Sequence, residues 1–245
     1  MLISTVKPLD VGRKFHADGA VRHFPGNTIV CHVASQTALI TGLDRLYDRL
    51  RGATAAHSFT LLPPSSWHMT LYVGICDQDR RAERWPEGLP LDASLVDANR
   101  CVEERLKASE FQGPSQFRMK LKRFWPLNDG IVLGVEPADD LENHAIRALR
   151  DTIAERVGMR LKGHETYEFH ITMAYFVGQP SDAEFTELSA ILAEEFQLLL
   201  DTITIFNVGP PEYCLFNDMF CFQRQFYLMG FDPMACRVQR GSVER

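Results

Sequence analysis

The sequence lacks any apolar run near the roughly 20 residues needed to cross a bilayer; its best stretch, residues 196–200, is interrupted by Gln197. No membrane span or membrane partner is expected. It also lacks the glycine-rich loops that cradle nucleotide phosphates, since neither Gly-x-Gly-x-x-Gly nor Gly-x4-Gly-Lys-Ser/Thr occurs. The six cysteines, at 31, 76, 101, 214, 221 and 236, form no Cys-x-x-Cys pair and keep no regular spacing, which argues against a zinc knuckle and a disulfide framework. They read as reduced thiols. Residues 1–15 carry Lys7, Pro8, Asp10, Arg13 and Lys14 where a signal peptide needs an apolar segment, so a cytoplasmic protein is expected. Excess positive charge is missing too: 26 Lys and Arg face 32 Asp and Glu, a formal net charge of -6. Such a surface does not act as a counterion-releasing cushion for long nucleic acids, so any anionic ligand must be held locally.

What is present is the balance of a globular protein, 45% hydrophobic and 24% charged over 245 residues. A β-branched run at residues 28–33 follows the turn-like Pro25-Gly26-Asn27 and predicts a strand. Ser35 is placed to cap a helix whose stripe is Leu39, Leu43, Leu46 and Leu50, with Gly52 as its stop. Strands are predicted at 59–62 and 67–75, joined across Pro63-Pro64-Ser65-Ser66, then a helix marked by Leu95, Ala98, Val102 and Leu106. Strands at 117–124 and 131–135 flank the turn signal Asn128-Asp129-Gly130. The second half repeats the rhythm with a helix from Leu141 to Val157, a strand at 169–177, and a helix opened by the Ser181/Glu184 capping box. Strand-like segments at 202–208 and 219–228 complete it. Because strands often follow one another without an intervening helix, the expected class is α+β with antiparallel sheets.

Two predicted strands carry one pattern: Trp67-His68-Met69-Thr70-Leu71-Tyr72-Val73-Gly74, and Phe169-His170-Ile171-Thr172-Met173-Ala174-Tyr175-Phe176-Val177-Gly178, their histidines 102 residues apart (170 - 68). Side chains alternate across a strand, so each His shares a face with its Thr, and the intervening apolar residues face the core. A third His-x-Thr, at His164, lacks the apolar opposite face and reads as a loop coincidence. Two imidazoles facing one another across a cleft form a general acid and base pair, and each threonine hydroxyl, about 6 to 7 Å further along, can donate to an anion between them. A phosphodiester suits such a cage. Solvent-facing His and Thr on two half-buried strands are the bland alternative.

These paired motifs resemble those of the two-histidine (2H) phosphoesterase superfamily, which includes LigT-like and 2',3'-cyclic nucleotide phosphodiesterases and nucleotide-binding relatives. Residues 12–15 (Gly-Arg-Lys-Phe), 24–32 and 62–70 resemble more closely a branch known mainly as a domain of unknown function. The resemblance implies one bilobal domain over residues 1–245, with approximate halves 1–125 and 126–245. It implies two pseudo-symmetric lobes, each an antiparallel sheet flanked by helices, with both motifs in a central cleft. It carries over His68, Thr70, His170 and Thr172 as catalytic residues, with no metal and no cofactor. The activity implied is hydrolysis of a small cyclic phosphodiester, either a 2',3'-cyclic nucleotide or an RNA end. A module that only holds a nucleotide in the same cleft is the alternative.

Other residues carry weaker signals. Tyr72, on the same predicted face as His68, could stack on a base or bond the phosphate, or simply face solvent. Arg118, Lys120 and Lys122 make a basic strand face, read as either a phosphate attractor or a solvated surface. Asp129, Asp139, Asp140 and His144 are metal-ligand types but fall at a turn and a helix start, where acidic residues are favourable anyway. A cysteine-dependent hydrolase using Cys31 or Cys76 ranks last.

Overall fold

The computed structural model describes residues 8–33 and 37–229. In chain order these form β1 (Gly26–His32), α1 (Ala38–Arg51), β2 (Phe59–Leu61), β3 (His68–Cys76), α2 (Leu95–Lys107), β4 (Arg118–Phe124), β5 (Gly130–Pro137), α3 (Asp140–Val157), β6 (His170–Phe176), α4 (Asp182–Thr202), β7 (Phe206–Asn207), β8 (Glu212–Asp218) and β9 (Cys221–Tyr227). The class is α+β, as expected, and among the described residues no helix is long and apolar enough to cross a membrane.

The helices begin and end where local chemistry provides for them. Thr37 caps α1, its side chain accepting the Ile40 N–H at 3.3 Å. Ser35, the expected cap, lies outside the described residues, as does Cys236. The capping box of α4 is complete: the Ser181 hydroxyl accepts the Glu184 N–H, and the Glu184 carboxylate accepts the Ser181 N–H at 2.7 Å. Asp139 caps α3, and Gly158 closes it in the left-handed conformation, φ 71. Helices α1 and α4 pack against each other, as do α2 and α3. The α1–α4 approach depends on Gly42, where a Cβ would lie 2.3 Å from Leu199 Cδ2. It is reinforced by Arg45 and Arg49, which clasp the buried Glu195 at 2.7 and 2.9 Å.

All strands join one curled antiparallel sheet in the order β7-β4-β5-β6-β3-β1-β8-β9, with β2 also pairing β6. Its centre is the seam between the two motif strands, β3 and β6, which touch through the single pair Met69 and Ile171. Outward from β3 run β1, β8 and β9; outward from β6 run β5, β4 and β7. The two sides therefore interleave in sequence, because β8 and β9 from the end of the chain complete the side of β3, while β2 joins that of β6. The boundary between the sides does not follow the halves 1–125 and 126–245. Two strand expectations also shift. Residue 202 ends α4, leaving only the two-residue β7 of the segment 202–208, and residues 212–218, not anticipated as a strand, form β8 in a hairpin with β9.

Candidate functional site

The seam arranges the motif residues. Met69 stands opposite Ile171 in an antiparallel register, and both side chains are completely buried. That register sets His68 toward Thr172 and Thr70 toward His170 on the opposite face of the sheet. The four side chains thus form a quadrilateral with the histidines on one diagonal and the threonines on the other. In a regular ladder such diagonal positions lie about 7–8 Å apart, room for an anion between two imidazoles. His68, Thr70, His170 and Thr172 all line one cleft.

Each motif strand then bulges immediately after its threonine. On β3, Thr70 pairs with Val30 but Tyr72 pairs with Ile29, so Leu71 is an extra residue. On β6, Thr172 pairs with Val132 but Ala174 pairs with Ile131, so Met173 is extra. A bulge shifts the alternation by one residue. Beyond it, Val73 and Tyr175 face the cleft, while Tyr72 and Ala174 turn into the core. The expectation for Tyr72 is therefore corrected: the ring is 2% exposed and its hydroxyl donates to the Met159 carbonyl, away from any substrate. The cleft tyrosine is Tyr175, which strict alternation along β6 would have hidden.

The bulge on β3 is held from below. Arg150 of α3, itself buried, donates to the Leu71 carbonyl and to the His164 carbonyl (3.1 Å), and its guanidinium lies 4.4 Å from the Tyr167 ring centroid. Burial lowers its pKa to about 10, so it remains charged at neutral pH. Tyr167 is pushed up to about 12 by burial, against the opposing pull of Arg150 and a hydrogen bond with Thr70. Thr70 is thus supported on its strand and through Tyr167.

Both histidines are oriented in the same way. The Nδ1 of His68 bonds the Ser66 carbonyl at 2.7 Å, and the Nδ1 of His170 bonds the Glu168 carbonyl at 2.9 Å, in each case two residues back. A carbonyl only accepts, so each Nδ1 carries a proton, and in the neutral ring Nε2 is left as the acceptor. Each ring is also backed by an aromatic: Phe222 lies 4.3 Å from His68 and Trp125 lies 4.5 Å from His170, centroid to centroid. The indole occupies space over Gly134, where a Cβ would come 2.7 Å from Trp125 Nε1. These covers remove water from the imidazoles. Burial pushes His68 down to about 3, with the charges of His32 and His170 adding and the Ser66 bond opposing. His170 is also lowered, by burial first and by Lys14, against the Glu168 carbonyl and carboxylate.

Several neighbours escaped sequence reasoning. Lys14 and Arg13, within Gly12-Arg-Lys-Phe15, line the cleft from the N-terminal segment, and Lys14 donates to Tyr175 Oη at 3.3 Å. Their basic type was visible; the approach of Lys14 to His170 was not. His32, the register partner of His68, has its ring 5.9 Å away and its Nδ1 bonded to the buried Glu212. It ends β1 and closes the family-like segment 24–32, where nothing in the spacing set it apart as a functional residue. His32, Glu212 and Cys214 place ligand-type atoms within 4.8 Å of one another, the only such group of three among the described residues. Glu212 there already accepts from His32 and from Arg224 (3.2 Å).

The remaining candidates fall elsewhere. His164 sits in the turn before β6, as expected of a loop, but its side chain is buried and bonds Asp151 at 3.0 Å. Arg118, Lys120 and Lys122 are ion-paired with Asp139 and Glu142, Glu136, and Glu168, and do not line the cleft. Asp139 is engaged as a helix cap and by Arg118. Cys31 is buried and its thiol is pushed far up by burial, so it offers no thiolate, and Cys76, at the cleft edge, is raised as well.

Residues 14–129 match the family model 2H-phosphodiest, described as a domain of unknown function (DUF1868). No curated protein matches the chain. Among solved structures, the conserved protein of unknown function ATU0111 from Agrobacterium tumefaciens strain C58 is 28% identical, with a TM-score of 0.82 over 91% of this chain and 94% of that one. The protein TT0787 of Thermus thermophilus is 14% identical, with a TM-score of 0.39 over 77% of this chain and 86% of that one.

Proposed function

We propose, from the match of residues 14–129 to the family model 2H-phosphodiest, that the protein is a metal-independent phosphodiesterase. It hydrolyses a small cyclic phosphodiester of the 2',3'-cyclic nucleotide or RNA-end type. The observation that carries this reading is the matched pair of histidines, each pinned through Nδ1 to the carbonyl two residues back, on one diagonal of the His/Thr quadrilateral.

In this reading the diester phosphorus sits between the rings. His68, the more strongly depressed imidazole, is unprotonated at Nε2 and takes a proton from the attacking water as its oxygen bonds to phosphorus. His170, protonated at Nε2, gives its proton to the sugar oxygen as the P–O bond breaks. The hydroxyls of Thr70 and Thr172 donate to the non-bridging oxygens, where charge increases. The ring opens to a phosphomonoester, and the histidines return to their starting protonation through solvent. Phe216 and Phe222, which line the cleft beside His68 with centroids 5.3 Å apart, give a base an apolar wall.

One observation favours a module that only holds nucleotides: a His68 held at about 3 in the free cleft is a weak base. Turnover separates the readings. Incubating the protein with adenosine 2',3'-cyclic phosphate and with short RNAs ending in a cyclic phosphate, in EDTA, is expected to yield phosphomonoester, and to fail with His68→Ala or His170→Ala. Tight binding without product would support the binding module.

A further inference from the structure

The cleft does not end at the His/Thr quadrilateral. Tyr175 lies three residues beyond Thr172 but, with Met173 taken up by the bulge, only two ladder steps from it, about 7 Å along the sheet, and around it the lining changes character from imidazole and hydroxyl to cationic. Lys14 comes from the N-terminal segment, donates to Tyr175 Oη, and rests 4.3 Å from the centroid of that ring. Arg13 and Arg84 line the same cleft, and both face Asp79, which lines it too.

The charges there do not cancel. Asp10, 4% exposed, is the one carboxylate among the described residues that forms an ion pair with both Arg13 and Lys14, each at 3.2 Å. Asp79 answers both Arg81 and Arg84, at 2.6 and 3.2 Å, and Glu83 reaches Arg81 at 3.4 Å. Four cations therefore meet three carboxylates, leaving one positive charge in a chain whose formal net charge is -6. Lys14 is costly to hold there: its side chain is only 18% exposed, and an ammonium is a compact, strongly hydrated charge. The loop fixes it firmly, since the Asp10 carbonyl accepts the N–H groups of Arg13, Lys14 and Phe15, and Gly12 takes φ 89 to make the turn. A desolvated, preorganised cation with half a carboxylate for a partner is an anion-binding device.

We propose that this end of the cleft, built on Lys14 with Arg13 and Arg84, binds a second phosphate of the substrate. The preferred substrate class is then a cyclic phosphodiester that carries a further phosphate, as in a 5'-phosphorylated nucleoside 2',3'-cyclic phosphate, and not the bare cyclic nucleotide. This rests on the reading that the scissile diester lies between His68 and His170, because the second phosphate is placed relative to it.

The test compares adenosine 2',3'-cyclic phosphate with its 5'-phosphorylated counterpart. The wild type is expected to favour the latter in kcat/KM by about tenfold or more, the scale of one charge-assisted hydrogen bond. Lys14→Met is expected to erase most of that ratio, Lys14→Arg to keep part of it, and added salt to shrink it, because the cleft mouth is solvent-accessible. Equal kcat/KM on the two substrates in the wild type, or a ratio unchanged in Lys14→Met, overturns the proposal. Should neither substrate turn over, the phosphodiesterase reading fails, and equilibrium binding still decides the subsite. Adenosine 2',5'-bisphosphate should then bind more tightly than adenosine 2'-phosphate, with the difference lost in Lys14→Met; equal affinities overturn the subsite as well. Circular dichroism of each variant confirms that the ratio is read on folded protein.

Discussion

Arg150 donates its guanidinium to the backbone carbonyl of Leu71, the residue that bulges β3 between Thr70 and Tyr72. A buried cation on the helix side of the sheet thereby fixes where the cleft side of the strand changes register. Arg150→Met keeps bulk but leaves the Leu71 and His164 carbonyls without this donor, a loss on the order of 1–3 kcal/mol for a buried group. The expected result is a melting temperature lower by about 2 to 10 °C together with a fall in turnover as Thr70 loses its support. Calorimetry and kinetics on the same preparation check both; a melting point equal to wild type would show that the clamp is idle.

His68→Ala and His170→Ala are each expected to cut turnover by about 10² to 10⁴, the usual worth of a positioned acid or base. His164→Ala should behave differently. Its ring is buried against Asp151 and Tyr72, so the change is expected to lower stability while leaving kcat and KM close to wild type. Steady-state kinetics beside thermal unfolding separate the three; a catalytic defect in His164→Ala matching that of His170→Ala would contradict the assignment of the second motif.

Thr70→Val and Thr172→Val keep shape and strand propensity while removing the hydroxyl. Each should lose about 1.5–3 kcal/mol of phosphate stabilisation, read as a reduced kcat/KM, and serine should largely restore it. Unchanged kinetics in both valine variants would reduce the threonines to strand formers.

Tyr72→Phe removes only the hydroxyl that bonds the Met159 carbonyl. The expected cost is about 1 kcal/mol of stability with no change in substrate affinity. A raised KM without a change in melting temperature would return Tyr72 to the cleft.

The pH dependence follows from two lowered histidines. If His68 must be neutral and His170 protonated, kcat/KM traces a bell with both limbs below the ordinary value of about 6.5, the lower one near the His68 value of about 3. The limbs belong to the coupled pair. Bound phosphate favours imidazolium, so the kcat profile should sit at higher pH than that of kcat/KM. Stability carries the same sign: the unfolded chain binds a proton at His68 below about 6.5 and the folded chain does so only near 3, so unfolding free energy falls as pH drops through that window. His68→Gln should flatten this fall relative to wild type in acid titrations followed by circular dichroism. An optimum of kcat/KM above neutrality would exclude these roles.

Much of this was legible in the chain itself. Apolar stripes placed the four helices of the described residues, and the complete capping box of Ser181 and Glu184 marked the start of one of them to the residue. The spacing His-x-Thr, with an aromatic before and a glycine after, picked out the four residues that the seam at Met69 and Ile171 brings onto one face. Period-two alternation is a local property of the backbone and needs only the sequence. Tertiary structure decided what depends on distant partners. Whether a strand bulges is set by pairing and by a donor such as Arg150, 79 positions from the carbonyl it binds, and one extra residue in each motif strand sent Tyr72 inward and Tyr175 outward. Which edge strands complete each side of the sheet, and that Lys14 reaches Tyr175 across 161 positions, were fixed only when long-range contacts closed. The histidine pKa values belong to the same class, because desolvation by Phe222 and Trp125 depends on packing that no local pattern encodes.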